Sequence, residues 1–507
     1  MKTHHEIKQS ILPILNHSLL NAEQTSQYEQ MLMYPVKVLQ IGEGNFLRAF
    51  ADWMIQACNR QGLFKGSITV IQPRPTGKAK IEELQRQDGL YTLIVRGFRG
   101  GRQVEEKEII TVFSQALDPY GHWEEFLKLA ENPELDIVLS NTTEAGLTYH
   151  PVDWEQGQPI ASFPGKLTAF LYRRFTRFAG DPGKGLMLLP CELLESNGDL
   201  LKEIVLKHAV DWKFPQEFQI WIHQHNHFLN SLVDRIATGY PASEAESLFT
   251  EWGYEDKLLN TTEPYYLWAI EGKPELDARF PLQQAGLNVH WVDDLRPFQL
   301  RKVRILNGAH TFLTSIGLLH GLNEVREVVE HPVYGIWVRE AIMHEIVPSL
   351  PLPQDELQIY AEEVLERFLN PFIRHRLTDI AMNSLSKFKV RLLPTLENYL
   401  EREGKLPHLI TEAFASLLLL YHVSKDEDDK FIGSRLNGEI VVLKDDLEAL
   451  QFLADAWQQF DQNSMTLQEL ICGILANSGL WGKDLNELPG LAESLRDTMT
   501  NLRGNLP

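Results

Sequence analysis

A glycine turn between an apolar run and an amphipathic run is the feature that most constrains how this chain folds. The run from Val36 to Ile41 has strand character and leads directly into Gly42-Glu43-Gly44. Apolar residues then recur at helical spacing from Phe46 to Ala57, and Ser67 to Ile71 form a second β-rich run. A strand, a glycine turn, a helix and another strand predict a strand–helix–strand unit of an α/β domain.

The glycine turn is suited to a dinucleotide. Glycines let the backbone approach a pyrophosphate, and the helix that follows offers unpaired N–H groups to its negative charge. Leu47 stands where the third glycine of a G-x-G-x-x-G motif would be, so an ordinary strand-to-helix turn is the alternative. After the second strand the chain has Gln72-Pro73-Arg74 and no carboxylate for an NAD ribose, which by itself permits NADP.

The rest of the chain predicts two domains of different class. Further strands are expected at 91–95, 109–113, 137–139 and 185–189, with helices at 123–130 and 166–178, a pattern typical of a largely parallel sheet covered by helices. From about residue 295 the pattern becomes helical, with segments at 300–322, 355–369, 408–422 and 444–460, so the second half is expected to be all-helical. We therefore predict a leader at 1–35, an α/β domain at 36–280 and a helical domain at 281–507.

Composition indicates a small-molecule partner. The chain has 48 Lys and Arg against 69 Asp and Glu, a net charge of -21, which opposes binding to nucleic acid or anionic lipid. No apolar run has the roughly 18 residues that a membrane span needs. Three scattered cysteines favour a reducing compartment, so we expect a cytoplasmic monomer or small homo-oligomer. An acidic substrate would need a locally basic pocket.

A second group of polar residues lies in the apolar helical pattern near residue 300. At helical spacing Lys302, Asn307 and His310 fall within an arc of about 140°. A lysine desolvated in a cleft can exchange a proton with an alcohol, while Asn and His donors stabilise the developing alkoxide. The alternative is a solvated lysine beside two structural hydrogen-bonding residues. A nucleotide-binding regulatory protein without turnover is a further alternative.

A third group, His223, His225 and His227, would share one face of an extended segment and could bind a transition metal. No further ligand cluster accompanies it, so a polar helix face or strand surface is the expected structure, and we predict no metal site. The acidic run at 425–430 lacks the spacing of a calcium loop and is expected to be a solvated loop.

Several separate motifs in order resemble those of the mannitol dehydrogenase family, also called the polyol-specific long-chain dehydrogenases. The resemblance covers nearly all of the chain from about residue 35. The segments that carry it are VLQIGEGNFLRAFADW at 38–53, DGLYT at 88–92, SNTTEAG at 140–146, LVDRIATGYP at 232–241, KVRILNGAH at 302–310 and NSLSKF at 383–388.

The resemblance implies a Rossmann-like N-terminal domain, a mostly helical C-terminal domain and a zinc-independent hydride transfer in the cleft between them. It implies Lys302 as general acid/base, Asn307 and His310 as substrate-orienting and oxyanion-stabilising residues, Asp234 in the same cleft and Lys387 against the substrate. It also implies NAD as cofactor. The residues expected to contact NAD are Ile41, Gly42, Glu43, Gly44, Asn45, Phe46, Leu47, Arg48 and Asn141.

Two departures from the mannitol-type pattern change the expected substrate. Cys191-Glu192-Leu193 replaces Cys-Asp-Asn, and Asp379 replaces an arginine eight residues before Lys387. Both departures resemble the uronate-reducing branch of the family, which implies NADH-dependent reduction of a keto sugar acid. Lys387 is the first candidate for the basic pocket that such a substrate needs, followed by Arg304 and Arg391.

Overall fold

The computed structural model describes residues 12–504, which form two compact units. The first unit runs to Arg96 and resumes from Gln103 to Leu295, and the second contains Gly97–Arg102 and continues from Arg296. Residues 1–11, part of the expected leader, lie outside the described residues; the described part contains helix α1 (Ala22–Leu32). No helix in the described range is long and apolar enough to cross a membrane.

The first unit is built on a six-stranded sheet in which every neighbouring pair is parallel, with two smaller sheets beside it. The six strands follow the spatial order β5-β2-β1-β6-β7-β8, and the smaller sheets follow β10-β11-β3-β4 and β13-β12-β9. The strands are β1 Val36–Ile41, β2 Ser67–Ile71, β3 Tyr91–Arg99, β4 Arg102–Ile110, β5 Phe113–Leu117, β6 Ile137–Ser140, β7 Met187–Pro190, β8 His227–Phe228, β9 Ser231–Asp234, β10 Ala237–Gly239, β11 Asn260–Thr262, β12 Leu267–Glu271 and β13 Val289–Val292.

Helices connect these strands and cover both faces of the parallel sheet. They are α2 Asn45–Ala49, α3 Ala51–Arg60, α4 Lys78–Arg86, α5 Trp123–Leu129, α6 Phe163–Arg177, α7 Asn197–Asp211, α8 Gln216–His225 and α9 Ala245–Trp252. Successive strand residues point to opposite faces, so Val38 joins the core on the α3 side, whereas Leu39 joins the core on the α6 side. Burial on both faces explains why the strand sequences are nearly continuous apolar runs.

The second unit is mostly helical, as predicted, but not entirely. Its α-helices are α10 Arg296–Arg301, α11 Gly308–Leu319, α12 Val325–Glu330, α13 Tyr334–Glu340, α14 Gln354–Phe368, α15 Leu377–Ile380, α16 Ser384–Arg391, α17 Leu393–Glu403, α18 His408–Leu420, α19 Leu447–Asp461, α20 Leu467–Leu475, α21 Ser478–Trp481 and α22 Leu491–Gly504. Two π-helical segments, Lys302–Asn307 and Ala341–Ile346, interrupt them. Every residue of α11 is buried, so α11 is a central element of this unit.

Three local expectations were wrong. The second half is not all-helical, because β14 (Ser424–Lys425), β15 (Phe431–Ser434) and β16 (Ile440–Val442) form a small antiparallel sheet around the acidic run, which lies in a turn. The strand expected at 109–113 is instead the end of β4 and the start of β5, because the chain leaves one sheet and enters another there. The helix expected from Phe46 to Ala57 breaks at Phe50, whose ψ of -84° is not helical.

Candidate active site

The glycine turn lies at the switch point of the parallel sheet. The strand order reverses between β1 and β6, and ligands of open α/β sheets bind beyond the carboxyl ends of the strands at such a point. Gly42 follows β1 and Asn141 follows β6, and the Asn141 N–H donates to the Ile41 carbonyl at 3.2 Å. The structure thus brings Asn141 beside the glycine turn, although about a hundred positions separate them in the sequence.

Glycine suits positions 42 and 44 of the turn for different structural reasons. Gly42 has a φ of +124°, and a Cβ built on it would lie 3.0 Å from the Asn141 carbonyl oxygen, so a larger residue would be strained there. Gly44 precedes α2 and has no atom within 4 Å of an ideal Cβ, so space is open beside the backbone. That space allows a ligand to approach the first N–H groups of α2, which have no side-chain cap.

Most side chains of the turn pack in the core or form hydrogen bonds within the chain. Ile41 and Leu47 are buried in the core, and Leu47 packs there at the position where a third glycine would stand. The buried Arg48 guanidinium donates to Asn45 Oδ1 at 2.8 Å, to the Glu43 carbonyl at 3.1 Å and to the Leu258 carbonyl. A cofactor would therefore meet the backbone of this turn rather than the Arg48 charge.

Glu43 and Gln72 present buried acceptors that fit a ribose. Glu43 Oε2 and Gln72 Oε1 are buried and receive no hydrogen bond from the described chain, whereas the Gln72 amide donates to Asp118 Oδ1 at 2.8 Å. Burial raises the pKa of the Glu43 carboxyl, against the nearby Arg48 and Lys80 charges. Two acceptors without donors fit a ligand that carries neighbouring hydroxyl groups, as an adenosine ribose does.

Glu192, Leu193 and Asp234 lie at or just beyond the ends of strands β7 and β9. Glu192 accepts from Ser140 Oγ and from both the N–H and the hydroxyl of Thr142, so its buried carboxylate is structural. Leu193, which stands in the place of an asparagine in mannitol-type enzymes, is 66% exposed. Asp234 is buried at the end of β9.

The geometry around Lys302 differs from the α-helix that its spacing predicted. Lys302–Asn307 is one π-helical segment, whose turns close between an N–H and the carbonyl five positions earlier, as between the Gly308 N–H and the Val303 carbonyl. Lys302 and Asn307 are therefore about one turn apart on the same face, rather than about 140° apart as in an α-helix. His310 follows Asn307 by three residues in regular α-helix, so all three side chains share a face.

His310 is buried among positive charges. Its ring centroid lies 4.6 Å from the Phe368 ring and 4.7 Å from the His375 ring, and its Nε2 has no hydrogen-bond partner within the described chain. Desolvation lowers the pKa of His310 well below its usual value, and the charges of His375, Arg367 and Arg391 lower it further. His310 is therefore a neutral imidazole at pH 7, with a free ring nitrogen.

Three basic side chains near His310, namely His375, Lys387 and Arg391, form what we call the cationic cluster. Lys387 and Arg391 carry its charge, because burial lowers the pKa of His375 and leaves its imidazole neutral at pH 7. Lys387 Nζ donates to the Ile380 carbonyl at 2.7 Å, and Arg391 Nη1 lies 3.4 Å from the Asn307 carbonyl oxygen and 3.3 Å from Thr311 Oγ1. None of the three forms an ion pair with a carboxylate of residues 12–504.

The other sequence candidates lie apart from this cluster. Arg304 donates to Thr395 Oγ1 at 3.0 Å and interacts with Glu397, so it does not contribute to the cluster. His223 and His225 end helix α8, whereas His227 begins β8, so the three histidines share no extended face. Within the described ranges no group of three His, Cys, Asp or Glu side chains could hold a metal ion. Sequence reasoning missed His375, for which no motif gave a signal.

Comparison with known proteins identifies the class of protein. The mannitol dehydrogenase Rossmann domain matches residues 36–284, and the mannitol dehydrogenase C-terminal domain matches residues 294–503. The chain belongs to the mannitol dehydrogenase family and is an oxidoreductase that acts on a CH–OH group. It is 44% identical to altronate oxidoreductase of Bacillus subtilis, over 92% of each chain. It is 41% identical to altronate oxidoreductase of Halalkalibacterium halodurans, over 93% of this chain and 91% of the relative.

Solved structures agree on the fold. A substrate-free D-sorbitol dehydrogenase is similar with a TM-score of 0.72 at 20% identity, covering 94% of this chain and 96% of that one. A Pseudomonas fluorescens mannitol 2-dehydrogenase in complex with NAD and D-mannitol has a TM-score of 0.64 at 23% identity, covering 96% and 97%. The Rossmann domain followed by a helical domain is thus confirmed.

Proposed function

We propose that this protein catalyses the reversible, NAD-dependent reduction of D-tagaturonate to D-altronate, in the cytoplasm and as a step of hexuronate catabolism. The observation that carries the proposal is the cationic cluster beside His310. Among the described residues, no carboxylate forms an ion pair with His375, Lys387 or Arg391, in a chain whose net charge is -21. Such a cluster suits a substrate that brings its own carboxylate. The names of the similar relatives support the same substrate.

The proposed chemistry needs a hydride and a proton. The reduced nicotinamide supplies the hydride to the ketone carbon. Lys302 donates the proton to the oxygen of that carbon and, in the oxidation direction, accepts it as a neutral amine. The Asn307 amide and the neutral His310 imidazole share the face of Lys302 and donate hydrogen bonds to the developing alkoxide. No metal takes part in this proposal.

The cofactor is assigned to the first unit and the proton donor to the second. The backbone of Gly42 to Asn45 would hold the pyrophosphate, and Glu43 and Gln72 would receive the ribose hydroxyls. Asp234 and Lys387 are proposed as substrate-contacting residues on the strength of their motifs. Asp379, exposed on α15, replaces the mannitol-type arginine and leaves substrate charge recognition to the cluster.

A substrate panel tests the proposal. Steady-state oxidation of NADH is measured with tagaturonate, fructuronate and fructose, and we expect the highest kcat/KM with tagaturonate. Preference for fructuronate would make the protein a fructuronate reductase, and preference for fructose a mannitol-type polyol dehydrogenase. Either result would refute the substrate assignment and leave the Lys302 mechanism standing. Full activity after exhaustive chelation is expected, and restoration of lost activity by zinc would refute the metal-free mechanism.

A further inference from the structure

Two buried acceptors without donors lie close together beyond β1 and β2. They are Glu43 Oε2 and Gln72 Oε1, and no residue of the described chain donates to either. Gly77 shows how near the two side chains are, because a Cβ built on it would lie 2.7 Å from Gln72 Cβ and 3.2 Å from Glu43 Oε1. Leaving buried acceptors unpaired is costly, so the pair favours a ligand that supplies two donors.

The position of the pair gives the chemical class of that ligand. In dinucleotide-binding sheets an acidic residue about twenty positions beyond the glycine turn accepts hydrogen bonds from the adenosine ribose. Gln72 stands at the end of β2 and carries no charge, and its amide is already bonded to Asp118 at 2.8 Å. Glu43 reaches the same place from the glycine turn, so the carboxylate missing after β2 comes from the loop after β1.

We infer that Glu43, assisted by Gln72, accepts the two hydroxyl groups of the adenosine ribose and thereby makes the protein select NAD over NADP. The inference rests on the proposed function, in which the first unit binds a nicotinamide dinucleotide. The 2′-phosphate of NADP carries negative charge and only weak donor capacity at neutral pH. It would replace one of the two hydroxyl donors and face the Glu43 carboxylate.

Basic residues near Glu43 would attract the 2′-phosphate of NADP, but more weakly than the Glu43 carboxylate repels it. Arg74 and Lys80, whose charges reach Glu43, are exposed, so solvent and salt screen their attraction for a phosphate. Lys166 is buried, but its Nζ already donates to the Pro73 carbonyl at 3.1 Å and to Tyr120 Oη at 2.6 Å. The buried Arg48 guanidinium likewise donates within the chain, to the Glu43 carbonyl at 3.1 Å and to Asn45 Oδ1 at 2.8 Å. The partly buried Glu43 carboxylate is less screened than the exposed cations, and the two buried cations are held by these hydrogen bonds, so the repulsion of the phosphate by Glu43 outweighs the attraction.

Equilibrium binding tests the inference without catalysis. The full-length protein is titrated with NADH and with NADPH, and each Kd is read from nicotinamide fluorescence. We expect wild type to bind NADH at least about tenfold more tightly, which corresponds to about 1.4 kcal/mol. Glu43→Gln should weaken NADH binding about tenfold and leave NADPH binding unchanged or stronger, so that the preference disappears.

Two further variants separate the effect of the Glu43 charge from the effect of the length of its side chain. Glu43→Asp keeps the charge but shortens the side chain, so it should weaken NADH binding and still reject NADPH. Glu246→Gln makes the same chemical change at an exposed position of α9 and should leave both Kd values unchanged. Competition by AMP and by adenosine 2′,5′-bisphosphate locates the effect at the ribose, because AMP should lose affinity in Glu43→Gln and the bisphosphate should not.

The outcomes distinguish this inference from the proposed function. A wild-type preference for NADPH, or an unchanged NADH to NADPH ratio in Glu43→Gln, overturns the inference while dinucleotide binding stands. A wild type that binds neither dinucleotide overturns the cofactor assignment and the inference together. Thermal melting shows whether each variant is folded, and if Glu43→Gln is not, an NADH affinity of Glu43→Asp equal to that of wild type overturns the inference.

Discussion

Replacing Lys387 by methionine should impair the use of a keto sugar acid far more than the use of a neutral ketose. Lys387 is half-buried, and its Nζ donates to one backbone carbonyl, that of Ile380, at 2.7 Å. A hydrogen bond between this ammonium and a substrate carboxylate contributes about 1.5–3 kcal/mol. That free energy corresponds to a loss of roughly 10- to 150-fold in kcat/KM. Methionine keeps most of the apolar stem, so the substitution mainly removes the charge.

Lys389, two residues further along α16, is a matched control. Its side chain lies near Gly482, where an ideal Cβ would be 3.1 Å from Lys389 Cε, and so it points away from the cationic cluster. Lys389→Met removes the same charge from the same helix and should change kcat/KM by less than about threefold. Both variants and wild type are assayed by NADH oxidation with tagaturonate and with fructose, and KM and kcat are determined separately.

The pH dependence gives a second readout of the same charge. Burial and the neighbouring Arg391 lower the pKa of Lys387, whereas Asp445 opposes the shift. The ammonium is therefore lost at a lower pH than in an ordinary lysine, and kcat/KM for the acid should fall as pH rises through that pKa. Lys387→Met should lack this decline. Equal losses in the two lysine variants, or an equal loss with fructose, would refute the carboxylate-binding role.

Three further predictions concern the proton donor, a buried lysine and the glycine turn. Lys302→Ala should lower kcat by about 10²–10⁴ while the NADH Kd is unchanged, and near-normal turnover would exclude its proposed role. Burial lowers the pKa of Lys166 from 10.5 to about 7, so the folded state releases this proton before the unfolded chain does. The free energy of unfolding in urea should therefore gain a rising contribution between these pH values, and Lys166→Met should lack it. Gly42→Ala should cost about 1–3 kcal/mol and weaken NADH binding, whereas Gly473→Ala, with no atom within 4 Å of its Cβ, should not destabilise.

The local sequence pattern was enough to predict the helices and strands that depend on neighbours in sequence. The strands β1 and β2 were predicted with their correct ends, and the main helices of the second half agree within a few residues. Burial on one helix face or on both strand faces imposes a period on the sequence itself, which is why it can be read from the residues alone.

The errors lie where distant contacts decide the backbone. The break at Phe50 carries no glycine or proline, and the strands at 424–442 form where the second half was expected to be helical. The π-helical turn at Lys302 is a local exception that no residue period announces. It nevertheless determines which side chains face the same way, because the backbone N–H groups in a π-helical turn bond to the carbonyl five residues earlier and not to the one four residues earlier.

The sequence by itself determined that this chain has a dinucleotide-type glycine turn and a lysine, asparagine and histidine in one helical segment. Only the tertiary structure decided what surrounds them. Glu43 meets Gln72 because β1 and β2 are neighbours in the sheet, and His375 meets His310 although 65 positions separate them. Burial beside particular neighbours determines the pKa of charged groups and the binding properties of acceptors that lack donors. The packing of distant segments brings those neighbours together.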